Sequence, residues 1–309
     1  MPRDFLDLAE WSSADLQRLL RLAVELKSEW RDGGNRHLLA GQTLGMIFQK
    51  ASLRTRVSFE VGMNHLGGHA FMLGEEEVGL GKRESVADVA RVLSGMVQGI
   101  MARVYDHQDV VDLAAWASVP VINGLSDDRH PCQALSDMLT VSEHFGRTEG
   151  LRLCYLGDGN NIAASLALAC AHFGLDFTVS SPEGYALDEE VLADAEKINP
   201  RIDICLQSNP DHAVAGADIL YTDTWVSMGQ EEEAAERRQV FRPWQLNAAL
   251  LARAPSQAVV MHDLPAYRGK EITDEVADSD RSLIFPQAAN RLHAQKAVLV
   301  DLMGTRSTV

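Results

Sequence analysis

The sequence alternates short apolar runs with helix-like stretches along most of its length. Helix-like stretches such as Arg54–Leu66, Ser85–Met96 and Val110–Ala117 separate the apolar runs. Strands that alternate with helices form parallel sheets covered on both faces. The pattern therefore predicts an α/β protein with doubly wound parallel sheets. The predicted strands are Leu44–Phe48, Ala70–Leu73, Ile100–Val104, Pro120–Ile122, Leu151–Leu156, Phe177–Ser180, Ile202–Leu206, Ile219–Thr222 and Val259–His262.

The chain has 309 residues, which is enough for two domains with separate cores. A polar, glycine-containing segment at 144–150 follows a helix that starts near Pro131 and marks the boundary. We expect one domain over residues 1–147 and a second over 148–286, with a cleft between them. The last helical stretch, Gln287 to Met303, is apolar enough to pack back on the first domain, so we assign 287–309 to that domain.

The net charge of −16 argues against nucleic acid or an anionic membrane as a partner. No apolar run approaches membrane-spanning length, and acidic residues stand where a signal peptide needs an apolar core. The four cysteines have irregular spacings without a C-x-x-C pair, which favours reduced thiols over disulfides. We expect a cytoplasmic protein.

One segment, Ser52-Leu53-Arg54-Thr55-Arg56, joins a predicted strand to a predicted helix and combines several groups that bind phosphate. These groups are two guanidiniums, two hydroxyls and the free amides of a helix start. The planar fork of arginine binds phosphate oxygens bidentately. The segment predicts a phosphate site, and in so acidic a chain an anion must be captured locally.

Four further motifs lie at or after the carboxyl ends of predicted strands. Ligands of open α/β sheets bind at the carboxyl ends of strands, so these motifs are expected to converge. We interpret them as the site of chemistry on a small phosphorylated substrate. The motifs are Arg103, His130-Pro131-Cys132-Gln133, Asp223 to Gly229 (DTWVSMG) and His262-Asp263-Leu264-Pro265.

Several other motifs do not favour a cofactor or a metal. Gly157 to Asn161 (GDGNN) has Ile162 at the third glycine position of G-x-G-x-x-G, so a tight strand-to-helix turn is favoured over a nicotinamide site. A third interpretation is that the asparagine amides face the cleft as hydrogen-bonding groups, a role for which Asn161 is well placed. No zinc or calcium pattern occurs, and we predict neither metal nor cofactor. Cys132 is interpreted as a small buried residue. The acidic run Glu75–Glu77 is interpreted as a mobile, solvated loop, with a lid or an intersubunit role as the alternative.

Over about residues 41–303 the chain resembles the ornithine carbamoyltransferases. The ordered occurrence of S-x-R-T-R, H-P-x-Q and D-x-x-x-S-M-G carries this resemblance. It implies two α/β domains, one for carbamoyl phosphate and one for L-ornithine, in homotrimers with sites near subunit interfaces. It also implies citrulline and phosphate as products and a place in arginine biosynthesis, although the sequence leaves the biosynthetic or catabolic direction open.

The resemblance also implies roles for individual residues. Arg103 and His130 face the carbamoyl oxygen, with Gln133 on the carbamoyl nitrogen and Arg291 nearby. We add Asp263 to this catalytic set, although the family pattern has a cysteine there. The implied carbamoyl phosphate site comprises Ser52, Leu53, Arg54, Thr55, Arg103, His130, Gln133, Leu264 and Arg291. The implied ornithine site comprises Asn161, Asp223, Ser227 and Met228.

Three positions depart from the family pattern. Leu53 removes a hydroxyl from the phosphate loop, and Gly79 stands where a side chain often reaches the neighbouring subunit's site. Asp263 replaces the cysteine of H-C-L-P, and an ionised carboxylate favours the unreactive ammonium form of the amine. This change leaves a second interpretation open, a carbamoyltransferase for another amine such as N-acylornithine or putrescine. A third is a carbamoyl phosphate-binding homologue with little turnover.

Overall fold

The computed structural model describes residues 3–304, which form two compact units. The first comprises the described residues up to Leu139 together with those from Ala289 onward, and the second is Thr140–Ala288. The division falls inside one continuous helix, Pro131–Phe145. The boundary expected at 147/148 lies just beyond the end of this helix and stays a prediction. Residues 1–2 and 305–309 of the predicted first domain lie outside the described part.

The first unit is built around a four-stranded parallel sheet with the order β2-β1-β3-β4. Its core lies between this sheet and the helices that cover it. The strands are β1 (Thr43–Phe48), β2 (His69–Gly74), β3 (Gly99–Arg103) and β4 (Val121–Leu125). The helices are α1 (Ser13–Arg31), α2 (Leu53–His65), α3 (Glu75–Val78), α4 (Val86–Ser94), α5 (His107–Trp116) and α6 (Pro131–Phe145).

The second unit contains a five-stranded parallel sheet with the order β7-β6-β5-β8-β9. The strands are β5 (Arg152–Leu156), β6 (Asp176–Ser180), β7 (Ile204–Leu206), β8 (Ile219–Thr222) and β9 (Val259–Met261). The helices are α7 (Asn161–Phe173), α8 (Glu189–Ile198), α9 (Pro210–Ala213), α10 (Ala234–Val240), α11 (Ala248–Leu251), α12 (Asp274–Ala277) and α13 (Ile284–Met303). Residues of α13 from Ala289 onward belong to the first unit.

The predicted α/β class with two parallel sheets is confirmed, and every predicted strand overlaps an observed one. The differences are at strand ends. For example, the strand predicted at Pro120–Ile122 begins at Val121 and continues to Leu125. Strand β4 is longer because the polar Asn123 is buried and donates to the carbonyl of Leu6, so the strand does not end at its first polar residue.

The acidic run Glu75–Glu77 forms the short helix α3, so the prediction of a loop there is wrong. The Glu77 carboxylate accepts a hydrogen bond from the Gly74 amide at 2.7 Å, and Gly79 ends the helix with a φ of 60°. Carboxylates are favoured in the first turn because they face the positive end of the helix dipole. The charges that suggested a solvated loop therefore stabilise a helix start.

None of the helices within residues 3–304 combines the length and the apolar character that crossing a membrane requires.

Candidate active site

In the first unit, two predicted motifs meet where the strand order of the sheet reverses. Strand β1 pairs with β3, and Phe48 lies beside Arg103 at their carboxyl ends. Ser52 follows β1 by a short loop and caps α2, while Arg103 is the last residue of β3. Such switch points are the usual ligand sites of open α/β sheets. The sheet topology therefore brings the start of α2 to Arg103.

The buried hydroxyl of Thr55 links these segments. Ser52 Oγ accepts from the Thr55 amide at 3.3 Å and donates to Thr55 Oγ1 at 3.1 Å. Thr55 Oγ1 also lies 3.3 Å from Arg291 Nη2 and 3.5 Å from Arg103 Nη1. The helix start and two buried guanidiniums thus surround one small volume, as an anion site requires. The Leu53 side chain does not enclose this volume as the buried Thr55 does, since Leu53 is 73% exposed.

His130 and Gln133 bring the start of α6 to the same place. Arg291 Nη1 donates to Gln133 Oε1 at 2.6 Å, and Gln133 Nε2 donates to Asp137 at 2.8 Å. Burial, followed by the charges of Arg291, Arg103 and Arg54, lowers the pKa of His130 well below its usual value. The ring is therefore neutral near pH 7.

In the second unit, the strand order reverses between β5 and β8, which are hydrogen-bonded neighbours. We call residues 157–161, which follow β5, the first loop and residues 223–229, which follow β8, the second loop. Gly157 leaves the strand with a φ of 145°, a conformation that favours glycine. Both loops that carry the predicted amino-acid ligands therefore lie at this switch point.

The two loops are joined by Asn160 and Asp223. Asn160 caps α7, accepting from the amides of Ile162 and Ala163 at 3.0 and 3.1 Å. Its Nδ2 donates to Asp223 Oδ2 at 2.8 Å. The sequence named Asn161 as the amide placed to face the cleft, which stays a prediction, and Asn160 is the residue that bonds to Asp223. Asn161 is the first residue of the helix.

Asp263 lies close to Asp223 and His262, and these three residues place ligand atoms within 4.8 Å of one another. The arrangement does not suit a metal ion, because both nitrogens of His262 are already used. Nδ1 lies 2.9 Å from the Leu264 amide nitrogen and 3.3 Å from an Asp263 oxygen, and Nε2 lies 3.2 Å from a Glu271 oxygen. Burial lowers the pKa of His262, but the hydrogen bonds to Asp263 and Glu271 outweigh it and raise the pKa to about 9. The protonated ring is therefore a cation beside the two aspartates and not a metal ligand.

The two aspartates share a buried environment in which a second negative charge is costly. Burial, followed by the charge of Asp263, raises the pKa of Asp223 well above its usual value. Asp223 also accepts from the Thr224 amide at 2.6 Å. Such a pair binds a proton or an ammonium group readily.

The turn after β9 holds Asp263 in place through an unusual backbone conformation. Leu264 has a φ of 62°, and its peptide bond to Pro265 is cis. A left-handed conformation at a non-glycine residue costs energy and is common at functional sites.

A pocket of about 260 Å³ opens beside the second loop. Ser227 and Met228 line it together with Glu271, which is fully buried. Glu271 Oε2 has no hydrogen-bond partner among residues 3–304. The pocket is small and polar enough for an amino acid.

Comparison with known proteins finds a family model for each of two successive segments of the chain. The family model described as "Aspartate/ornithine carbamoyltransferase, carbamoyl-P binding domain" matches residues 3–143, and the "Asp/Orn binding domain" model matches residues 149–302. The chain belongs to this family.

Relatives with this domain pair match along nearly the whole chain. The ornithine carbamoyltransferase of Anoxybacillus flavithermus is 51% identical over 97% of this chain and 96% of its own length. The "Ornithine carbamoyltransferase, anabolic" of Pyrococcus furiosus is 51% identical over 98% of this chain and 96% of its own. The solved structure of the ornithine carbamoyltransferase from Pyrococcus furiosus superposes with a TM-score of 0.95, at 51% identity, over 98% of this chain and 97% of the other.

Several residues that shape the carbamoyltransferase site were not identified from the sequence. Asn160 could have been identified, because an asparagine directly before an apolar helix is a typical cap. Glu271 carried no local signal, since its contact with His262 depends on the fold. The same is true of Arg237, whose contacts with Asp158 and Trp225 join distant segments.

Proposed function

We propose that this chain transfers the carbamoyl group from carbamoyl phosphate to the side-chain amine of L-ornithine, giving L-citrulline and phosphate. The observation that carries the proposal is the gathering of Arg103, His130, Gln133 and Arg291 around Thr55 at the start of α2. The family membership of the chain supports the same reaction.

In the proposed mechanism, the start of α2 binds the phosphate of carbamoyl phosphate. Ser52 and Thr55 supply hydroxyls and amides, and Arg54 supplies a charge that matches the leaving phosphate. Leu53 contributes through its backbone, because its side chain is exposed. Gln133 holds the carbamoyl amide.

The oxyanion that forms on amine attack is assigned to Arg103 and His130. A neutral imidazole can fill this role because its one N–H donates a hydrogen bond, and burial keeps His130 neutral. Fixed donors of this kind contribute about 3–4 kcal/mol each. Arg291 orients Gln133 through the 2.6 Å hydrogen bond. Alignment of two small reactants supplies much of the remaining acceleration.

The amino-acid end of ornithine is assigned to the second unit. Asp223 binds the α-ammonium group, and Asn161, Ser227 and Met228 hold the α-carboxylate region. Asp263 lies beside Asp223 and receives the proton that the attacking amine releases, a role open to a carboxylate whose neighbour disfavours a second charge. No cofactor takes part in this mechanism.

Two other functions are less well supported. A diamine such as putrescine has no carboxylate for the second loop to hold, and both relatives described above are named for ornithine. A binding homologue without turnover would not need the buried Arg103 and His130 that face a developing oxyanion.

We further propose that the chain works as a homotrimer in the cytoplasm, on the biosynthetic side of arginine metabolism. Large apolar side chains on the first unit support association, among them Leu53 and Val57 of α2 and Met72 of β2. The name of the Pyrococcus furiosus relative, which includes "anabolic", supports the direction.

The proposed reaction is tested by measuring citrulline formation from carbamoyl phosphate and ornithine, with putrescine and N-acetylornithine as competing acceptors, across a range of pH. Preferred turnover of ornithine supports the proposal. Faster turnover of putrescine or N-acetylornithine would show that this amine, and not ornithine, is the preferred substrate. Tight binding of carbamoyl phosphate without any product would favour the binding homologue.

The phosphate site predicts different effects for two arginines on the same helix. Arg54→Gln should raise the KM for carbamoyl phosphate by about tenfold or more, because it removes a charge-assisted contact to phosphate. Arg56→Gln should have a much smaller effect, since Arg56 is exposed and paired with Glu60 at 3.0 Å. Steady-state kinetics with carbamoyl phosphate as the varied substrate compares them, and equal effects would contradict the assignment.

A further inference from the structure

Arg237 is a buried cation that bonds to three separate segments of the second unit. Its Nη1 donates to Asp158 Oδ2 at 2.6 Å and to the Trp225 carbonyl at 3.3 Å. Its Nε donates to Glu233 Oε2 at 2.8 Å, one turn away along the chain. The side chain is 8% exposed, so solvent screens these bonds little.

The first two partners belong to the two loops at the switch point. Asp158 lies in the first loop, two residues before the Asn160 that donates to Asp223. Trp225 lies in the second loop, between Asp223 and Ser227. A single guanidinium therefore joins the loop after β5 to the loop after β8.

Aromatic contacts hold the guanidinium in this position. Arg237 lies over the Tyr185 ring at 5.0 Å, and Tyr185 contacts Phe241 edge to face at 4.8 Å. Phe241 also stacks on Trp225 at a centroid distance of 6.1 Å. The backbone carbonyl of Tyr185 accepts from the Gly159 amide at 2.9 Å, which ties the first loop to the same cluster.

The hydrogen bond from Arg237 also offsets the cost of burying the Asp158 carboxylate. Burial raises the pKa of Asp158, and the hydrogen bond and charge of Arg237 oppose that rise. Removing the guanidinium would leave a carboxyl group that is 9% exposed without its cation. Buried carboxylates without a partner either take up a proton or move toward water, and either change would shift the first loop.

We infer that Arg237 is a positioning residue for the amino-acid substrate, because it fixes the spacing of the two loops that carry Asn160, Asp223 and Ser227. This inference rests on the proposed function. Arg237 acts through Asp158 and the Trp225 carbonyl, so it governs the binding of the amino acid and not that of carbamoyl phosphate.

The experiment compares Arg237→Gln with the parent in steady-state kinetics, varying each substrate in turn. We expect the KM for ornithine to rise about tenfold or more, with the KM for carbamoyl phosphate within about twofold of the parent. Arg237→Lys keeps the charge but lacks the separate Nε–H that bonds to Glu233 and orients the guanidinium, so its KM for ornithine should lie between those of the parent and Arg237→Gln. Arg242→Gln is the matched control, because Arg242 is exposed and lies just beyond the same helix.

Stability and binding are separated by a second variant. Asp158→Asn removes the buried charge, so Asp158→Asn combined with Arg237→Gln should unfold at a higher temperature than Arg237→Gln alone. The KM for ornithine should stay raised in the double variant, because the link to Trp225 is still missing. If Arg237→Gln does not fold, the Lys variant and the double variant provide the same comparison.

The outcomes distinguish this inference from the proposed function. A parent protein that makes no citrulline overturns the proposed function. A parent that makes citrulline, with a folded Arg237→Gln variant whose KM for ornithine is unchanged, overturns the positioning role. An equal rise in both KM values also overturns it, because that result indicates general loss of structure.

Discussion

At the residue scale, position 263 is the main chemical departure of this chain from the family pattern. A thiol is uncharged over much of the neutral range, whereas Asp263 adds a carboxylate within 4.8 Å of Asp223. An amine between carboxylates keeps its proton to higher pH, and a protonated amine cannot attack. The substitution therefore changes the pH at which the amine becomes reactive.

We expect Asp263→Cys to move the rising limb of the pH–rate profile for ornithine toward lower pH, by about one unit. The sign follows because removing a negative charge lowers the pKa of the bound ammonium group. Asp263→Asn is the matched variant, since it removes the charge and keeps the size. Profiles of kcat/KM against pH test this, and unchanged profiles in both variants would contradict a role for the charge.

The sequence identified more of the contacts seen in the first unit than of those seen in the second. Thr55, Arg103 and His130 were identified because each stands in a motif at or after the carboxyl end of a strand. In the second unit, the bond from Asn160 to Asp223 was not predicted, and the role of Asn161 stays a prediction. A loop of consecutive glycine, aspartate and asparagine residues does not reveal which side chain bonds to Asp223, because that residue is 63 positions away.

At the element scale, α13 carries a buried histidine that titrates far from its usual range. Burial is the largest cause, and the charges of Lys296, Lys27, Arg31 and His65 add to it, lowering the pKa of His293 to about 3. His293 Nδ1 has no hydrogen-bond partner within residues 3–304. The helix is therefore packed around a neutral ring.

This histidine makes the stability of the fold sensitive to acid. The unfolded chain binds a proton at His293 below about pH 6.5, while the folded chain does so only near pH 3. The free energy of unfolding should therefore fall as the pH is lowered between these values. Urea unfolding at pH 7 and pH 5 should show a smaller loss for His293→Gln than for the parent, and equal losses would contradict the assignment.

Helices and strands were predicted where the period of the apolar residues was clear. Helix α2, for example, was expected at Arg54–Leu66, and the structure has it at Leu53–His65. The short helix α3 was missed because the sequence rule for charged runs did not include the helix dipole. The hydrogen bond from the Gly74 amide to Glu77 depends on the backbone position of Gly74, and composition alone does not predict that position.

At the scale of the whole molecule, the net negative charge opposes association between copies of the chain, whereas exposed apolar residues favour it. A net charge of −16 keeps copies of the chain apart unless a specific interface offsets the repulsion. Apolar side chains on α2 of the first unit are suited to such an interface.

We expect Val57→Asp to reduce the trimer fraction, since it places a charge at the proposed interface. Val24→Asp is a matched control, because Val24 of α1 has the same exposed fraction, 46%. Sedimentation velocity at several protein concentrations measures the effect. A trimer that survives Val57→Asp, or one that Val24→Asp dissociates equally, would place the interface elsewhere.

The close approach of the backbone at Gly159 limits how this chain can diverge. A Cβ atom there would lie 2.5 Å from the Ala186 carbonyl carbon and from the Leu187 amide nitrogen. A relative with any side chain at this position must therefore rebuild the 182–187 turn. Sequence change at one site in the first loop is thus coupled to a stretch more than twenty positions away.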